Sequence, residues 1–213
     1  MKIQIISLFP EMFPGVLNAS MLWKAQEQKA VQFEYINLRD FGIGPRHRVD
    51  DTPYGGGDGM LLMPEPLVAA IEHAKKQSPG ALVILPTPRG ELYKQSNAKK
   101  LAASNQNLII VCPRYEGYDE RVVDYIDQQF CIGNYVLTGG EVPAMIIIDS
   151  VVRLLPGVLG GEESAEMESF QADDKAIEHA QYTRPEEFRG KKVPQVLLSG
   201  HHGEIARWRN QEK

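Results

Sequence analysis

The sequence predicts an α/β fold on a largely parallel sheet, and three observations carry that prediction. Short apolar runs recur along the chain, segments with helical patterning separate them, and glycine- and proline-rich loops follow several of the runs. Strands that alternate with helices join as crossover units, which pair in parallel.

Taken in order, the first run is Ile3 to Leu8, which alternates like a strand and carries no small-residue cleavage site, so it reads as mature structure. Further runs lie at Phe33 to Leu38, Ala81 to Leu85, Leu108 to Val111 and Phe130 to Leu137. The helix that begins at Pro64-Glu-Pro opens with proline in its first turn and puts Leu67, Ala70, Ile71 and Ala74 on one face, as a covering helix requires. A second helix is expected from about Glu141 to Leu155, with Pro143 tolerated in the first turn and Pro156-Gly157 stopping it, so that its end delivers Arg153 to a loop. From Gly157 to about Asp174 the chain turns glycine-rich and then acidic, which reads as a mobile linker. The remainder to Lys213 is too short to bury a core of its own and is expected to pack on the main domain or on a partner subunit. The predicted organisation is a main domain over 1–160, a linker over 161–174 and a small C-terminal domain over 175–213.

With 213 residues, 43% hydrophobic and 24% charged, the composition is that of a soluble globular chain. Its longest apolar stretches, such as Ala81 to Pro86 and Met145 to Ile148, fall far short of the roughly 20 residues of a membrane span, and a cytoplasmic location is expected. Cys112 and Cys131 form no Cys-x-x-Cys pair, which argues against a disulfide framework or a thiolate zinc site. The net charge of −5 argues against a broad polyanion-binding surface, yet Arg184 to Lys213 carries seven Lys/Arg against four Asp/Glu. Surface solvation and nucleic-acid contact both account for that basic tail.

Neither a phosphate loop nor a Gly-x-Gly-x-x-Gly dinucleotide fingerprint is present, which disfavours nucleotide hydrolysis and Rossmann-type hydride transfer. The cluster Tyr54-Gly-Gly-Gly-Asp-Gly-Met allows tight turning or close approach of a ligand. Three segments are predicted to leave the carboxyl ends of strands: Leu85 to Gly90, Cys112 to Gly117, and Cys131 to Gly140. In open parallel sheets ligands bind outside those ends, so the three loops can frame one small-molecule pocket that reads an adenine edge with backbone groups.

Several motifs occur in a familiar order: Ile6-Ser-Leu-Phe-Pro-Glu-Met-Phe13, Val49-Asp-Asp-Thr-Pro-Tyr-Gly-Gly-Gly57, Arg114-Tyr-Glu-Gly117, Asp119-Glu-Arg121 and Gly133-Asn-Tyr-Val-Leu-Thr-Gly-Gly-Glu141. Pro156-Gly-Val-Leu-Gly160, Tyr182-Thr-Arg-Pro185 and Leu198-Ser-Gly-His-His202 follow. From Met1 to Trp208 the chain resembles the bacterial tRNA (guanine-N1)-methyltransferases of the SPOUT class. That resemblance implies a deep trefoil knot in the parallel α/β sheet, a small mainly helical C-terminal domain, a homodimer with its active site at the subunit interface, and no membrane. It also implies methyl transfer from S-adenosylmethionine to N1 of guanosine-37 in tRNA, beside the anticodon, with a magnesium requirement whose ligands the sequence does not assign. Hydrophobic patterning by itself gives no sign of a knot.

By the same resemblance the donor is held by Leu85, Pro86, Thr87, Pro88, Gly90, Pro113, Tyr115, Glu116 and Gly117, together with Ile132, Gly133, Asn134, Tyr135, Val136, Leu137, Gly139, Gly140 and Pro143. Contacts to tRNA are expected at Asp50, Arg184, Lys191, Lys192, His201, Arg207 and Arg209, and Arg184, Arg189, Lys191, Lys192, Arg207 and Arg209 would supply the phosphate contacts that position it while the pocket reads the base. The adjacent His201-His202 has no further ligand set and is not read as a metal pair.

The chemistry requires a carboxylate and an arginine. Guanine N1 holds a proton at neutral pH, and a positioned carboxylate removes it. Negative charge then grows on O6, where a guanidinium stabilises it. Matching the family's linker onto Ser164-Ala-Glu-Met-Glu-Ser-Phe170 assigns the base to Glu168, and the helix end assigns the arginine to Arg153. The plain alternatives are that Glu168 is one solvated acid among Glu162, Glu163 and Glu166, and that Arg153 is a cation meeting the helix dipole.

Four departures from the family stand out. Glu168 replaces aspartate, Pro113 replaces glycine, and Pro86 and Arg89 replace the Leu and Gln of a Leu-Ser-Pro-Gln-Gly loop. Arg46 stands at the usual histidine, with His47 shifted by one. Relatives also continue beyond Trp208-Arg209 where this sequence stops at Lys213, so a shortened RNA-binding surface is expected. Two other readings fit these residues: a catalytically weakened knotted RNA-binding dimer, and a SPOUT methyltransferase acting on another RNA.

Overall fold

Five strands form the organising sheet: β1 (Lys2–Ser7), β2 (Gln32–Asn37), β5 (Leu82–Leu92), β6 (Leu108–Val111) and β7 (Gln128–Cys131). They run in the order β2-β1-β6-β5-β7, every neighbouring pair parallel. This computed structural model describes residues 1–160, 168–170 and 176–211, in two compact units, Met1–Gly160 and Gly161–Lys213. The sheet belongs to the first.

A parallel sheet is buried on both faces, and its strands read as near-continuous apolar runs. Side chains alternate across it. Ile3, Ile5, Ile84, Leu108 and Ile110 enter one core, and Ile6, Val83, Leu85, Ile109 and Val111 the other. The short α1 (Pro14–Leu17) with α2 (Ser20–Glu27), α4 (Gln95–Ala103) and α5 (Glu141–Val152) cover the first face. The second is covered by α3 (Pro64–Gln77), which buries Leu67, Ala70, Ile71 and Ala74, the face its periodicity predicts. A small antiparallel pair, β3 (Asp50–Asp51) and β4 (Leu61–Leu62), stands apart from the sheet.

Three boundaries differ from the sequence reading, each for a local reason. The expected loop Leu85 to Gly90 is an excursion inside β5: Phe130 of β7 pairs with both Pro86 and Glu91, so residues 87–90 bulge out and the strand resumes to Leu92. Pro86 and Pro88 cannot donate to the ladder, which opens the bulge. Gly90 closes it, because a Cβ there would lie 2.5 Å from the Gln129 and Phe130 backbone. The expected strand Phe130 to Leu137 ends at Cys131, where Gly133 takes a φ of +152° and its carbonyl accepts from Tyr135 N at 2.9 Å, turning the chain out of the sheet. Helix α5 ends at Val152, three residues early, because Leu154 and Leu155 bond back to Val151 and Val152 in tighter i→i+3 turns.

In the second unit, β8 (Glu187–Phe188) and β9 (Lys191–Lys192) form a hairpin whose two turn residues, Arg189 and Gly190, both have positive φ, as a tight hairpin turn demands. Helices α6 (Gln195–Leu198) and α7 (His202–Gln211) follow. His179 and Tyr182 pack against the Trp208 ring at 5.9 and 6.3 Å, and His179 is the sole buried residue among the described residues of this unit. Among the described residues, no helix is long and apolar enough to cross a membrane.

Candidate functional site

Three chain segments converge at the carboxyl end of the sheet and enclose a cleft of about 720 Å³, within the range of small-molecule sites. The first is the bulge 87–90. Its Thr87 is buried, and Thr87 Oγ1 accepts from Tyr118 Oη at 3.4 Å. The second leaves β6 at Cys112. Tyr115 sits there at a φ of +61°, a conformation that for a non-glycine stores of order 1 kcal/mol and recurs at binding sites. The third leaves β7 and returns to the start of α5.

Backbone hydrogen bonds hold these segments to one another and to β4. Gly140 N donates to Pro113 O at 2.8 Å, Glu116 N to Met60 O at 3.0 Å, and Leu62 N to Gly117 O at 2.9 Å. This accounts for part of the glycine cluster. A Cβ on Gly59 would stand 2.5 Å from Glu116 Cγ, so the 55–59 turn lies directly against the 113–117 segment.

All the residues expected to hold a donor line this cleft except Leu85, Gly90 and Asn134. Leu85 points into the core with no exposure, Gly90 is pressed against β7, and Asn134 is exposed outside the cleft. Sequence reasoning missed Leu61, Arg89, Arg114, Tyr118, Glu120, Phe130 and Cys131 as lining residues. Arg89, Arg114 and Cys131 lie in the three loops expected to frame a pocket but were not named as donor-holding residues. Phe130 and Cys131 reach the cleft because β7 ends earlier than its apolar run suggests.

The cleft's charges are mostly paired. Arg89 meets Glu120 at 2.7 Å, and Arg114 Nε lies 2.8 Å from Glu141 Oε2. Glu116 is exposed, and among the described residues it has no counter-ion. Asp119 accepts from Arg121 N at 3.0 Å, capping a short 3-10 turn, and from Arg121 Nη2 at 2.8 Å. The guanidinium holds that carboxyl below its usual range. Burial pushes the Cys112 thiol well above its ordinary value, with the nearby Glu141 carboxylate pushing the same way and Arg114 opposing, which leaves the thiol unreactive.

The other expected site residues are distributed over both units. Arg153 is the C-cap of α5, half-buried, and does not line the cleft. Glu168 belongs to the second unit and is half-buried, while Glu162, Glu163, Glu166 and Asp173 lie outside the described residues. Asp50 pairs with Leu62 across β3 and β4. Arg184, Lys191, Lys192, His201, Arg207 and Arg209 are all exposed in the second unit, with Lys192 Nζ 3.4 Å from Glu187. Among the described residues, no three His, Cys, Asp or Glu are grouped to hold a metal ion.

A family model described as tRNA (Guanine-1)-methyltransferase TrmD matches residues 1–213. Over 213 residues the chain is 52% identical to the tRNA (guanine-N(1)-)-methyltransferase of Geobacillus kaustophilus, covering 100% of this chain and 86% of that protein. The protein of the same name from Bacillus subtilis is 50% identical over 214 residues, with 100% and 87% covered. Among solved structures, a tRNA (m1G37) methyltransferase from Aquifex aeolicus superposes with a TM-score of 0.81 at 35% identity, over 98% of this chain and 87% of that one.

Proposed function

The chain belongs to the tRNA (guanine-1)-methyltransferase TrmD family, and we propose that it carries the methyl group of S-adenosylmethionine to N1 of guanosine-37 in tRNA. The observation that carries this reading is the cleft at the carboxyl end of the sheet, with Glu116 as its one lining charge without a counter-ion among the described residues. The donor bears a sulfonium and an ammonium against a single carboxylate, so it is a net cation. A carboxylate without a partner suits it, and the apolar and backbone lining suits its adenosine. The residues present fit the group.

In this reading the 87–90 bulge, the 113–117 segment and the 132–140 return loop hold the donor, whose chemistry is to present an electrophilic methyl on cationic sulfur. The flipped guanine is brought against it. Glu168 accepts the N1 proton as general base, and Arg153 stabilises the negative charge that grows on O6. Glu168 carries one methylene more than the family's aspartate and supplies the same carboxylate chemistry. Arg184, Arg189, Lys191, Lys192, Arg207 and Arg209 contact tRNA phosphates, and Asp50 and His201 make further contacts to the tRNA.

The trefoil knot, the small mainly helical C-terminal domain, the magnesium requirement and a cytoplasmic location belong to the same proposal. So does the division into 1–160, 161–174 and 175–213, and so does a homodimer in which Glu168 of one subunit serves the donor held by its partner. Support for a partner comes from α5, which is apolar on nearly every side. It leaves Val142 45% and Ile146 42% exposed one turn apart.

Single-turnover methyl transfer to a tRNA transcript, with guanosine or adenosine at position 37, tests this reading beside ribosomal RNA fragments. Transfer confined to the guanosine-37 tRNA is the expected result, and faster transfer to a ribosomal fragment would overturn it.

A further inference from the structure

At the wall of the cleft lies a polar cluster that the chemistry above does not use: Arg114 lines the cleft and Glu141 is buried beneath it. Glu141, the first residue of α5, is fully buried. Its Oε1 accepts from Ser7 Oγ at 2.7 Å, at the end of β1, and the same Ser7 Oγ accepts from Phe9 N at 2.9 Å. Its Oε2 lies 2.8 Å from Arg114 Nε, yet neither atom completes a hydrogen bond, so the two attract as charges across an off-line contact. Arg114 is held from its other sides. Its guanidinium carbon stands 4.5 Å over the Phe9 ring, Nη1 donates to Thr138 O at 3.3 Å, and Nη2 contacts Met12 Sδ at 3.1 Å.

We propose that Arg114 and Glu141 are positioning residues for the donor: a buried ion pair that sets the separation of the 113–117 and 132–140 segments. The inference rests on the donor-binding reading of this cleft. Arg114 and Gly139 form an isolated antiparallel bridge, and both residues line the cleft. A Cβ on Gly139 would stand 2.4 Å from Arg114 Nε and 2.7 Å from Glu141 Oε2, so the return loop is seated directly on the pair. One carboxylate thus ties together the end of β1, the segment after β6, the return loop and the start of α5. A helix N-terminus favours such a charge. Compared with an apolar pair of equal volume, a buried ion pair adds little net stability, and what it supplies here is geometry.

The full chain is titrated with S-adenosylmethionine by calorimetry, in the natural sequence and in Glu141→Gln, Ser7→Ala, Arg114→Lys and the double variant Arg114→Met with Glu141→Gln. Glu141→Gln keeps the shape and removes the charge. Donor Kd is expected to rise roughly 10- to 100-fold, the penalty of a site misplaced by about an ångström. Affinity for tRNA should stay unchanged, and the single-turnover rate at saturating donor should fall by a smaller factor than Kd rises. Arg114→Lys keeps the charge without the planar fork and is expected to fall between. The double variant leaves no uncompensated buried charge and should recover part of the affinity that Glu141→Gln alone loses.

An unchanged donor Kd in Glu141→Gln, with only the thermal midpoint lowered, overturns the proposal. So does a rate loss at saturating donor with Kd unaltered. If Glu141→Gln does not fold, Ser7→Ala and the double variant decide, and unshifted Kd values in both overturn it. Absence of donor binding by the natural sequence is a different result, and it removes the donor reading itself.

Discussion

In the first unit the residues around the cleft are held in place by parallel strands, backbone hydrogen bonds between loops and a buried ion pair. In the second, most of the residues proposed to meet tRNA stand on a hairpin with a two-residue turn and on α7, with Arg184 and His201 just ahead of them, and all are exposed; one histidine is buried among the described residues. The contrast follows from what each would recognise. A small cation is read by an enclosing shape with little charge, so small displacements matter. A polyanion is read by exposed cations acting over a distance, and each contributes a similar, salt-sensitive increment. Substitutions in the two units should therefore fail in different ways, and four experiments sharpen or break that division.

The largest effect is expected at Glu168, the one residue of the second unit proposed to act in the chemistry. Glu168→Gln should lower the single-turnover rate by about 10²- to 10⁴-fold while leaving donor and tRNA affinities intact, because the amide keeps the shape and cannot take the proton. An unaltered rate would move the base elsewhere, with Glu166 and Asp173 next in line.

Next comes Gly140, where a Cβ would lie 2.4 Å from Pro113 Cδ and 2.8 Å from Cys112 Cα. Gly140→Ala should destabilise the first unit by about 1–3 kcal/mol in denaturant unfolding and weaken donor binding in parallel. Weakened tRNA binding with normal donor affinity would contradict the division.

Alkaline unfolding separates the units directly. Burial pushes the Tyr93 hydroxyl up to about 12, against a smaller lowering by its hydrogen bond with Ser150, and its ring packs edge-on to Phe130 at 5.2 Å. The folded state therefore keeps a proton that the unfolded chain releases near pH 10. That contribution is fully present below about pH 10 and is lost as pH rises through 12, roughly 2–3 kcal/mol in all. The chain's two tryptophans, Trp23 and Trp208, lie one in each unit. Fluorescence of a Trp208→Phe variant should report the loss, and Tyr93→Phe should flatten it.

The smallest effects are expected on the hairpin. Lys191→Ala should weaken tRNA binding evenly across tRNA sequences and reduce the slope of log K against log salt by about 1. Donor affinity should not move. A loss confined to particular tRNA sequences would give this lysine a role in base reading that the comparison denies it.

Much of this was legible from residues alone. The covering face of α3 follows from spacing, the parallel sheet from runs such as Leu108 to Val111, and most of the residues that line the cleft were named from the motif resemblance. The first two are set by neighbours in the chain, through hydrophobic period, and a sequence displays them openly. The bulge in β5 was not legible, because two prolines and a glycine read equally well as a loop, and only the pairing of Phe130 with both Pro86 and Glu91 shows the strand resuming. Nor was the partnership of Arg114 with Glu141 and Ser7. They come from three segments separated by up to 134 positions in the chain, and an ion pair or hydrogen bond over such a span exists only once the sheet has brought those segments together. The sequence by itself determined the elements and the residue types at the cleft. Which charges are paired there, and which carboxylate remains for a ligand, was decided by the tertiary structure, because pairing depends on distances of a few ångströms that no local pattern encodes.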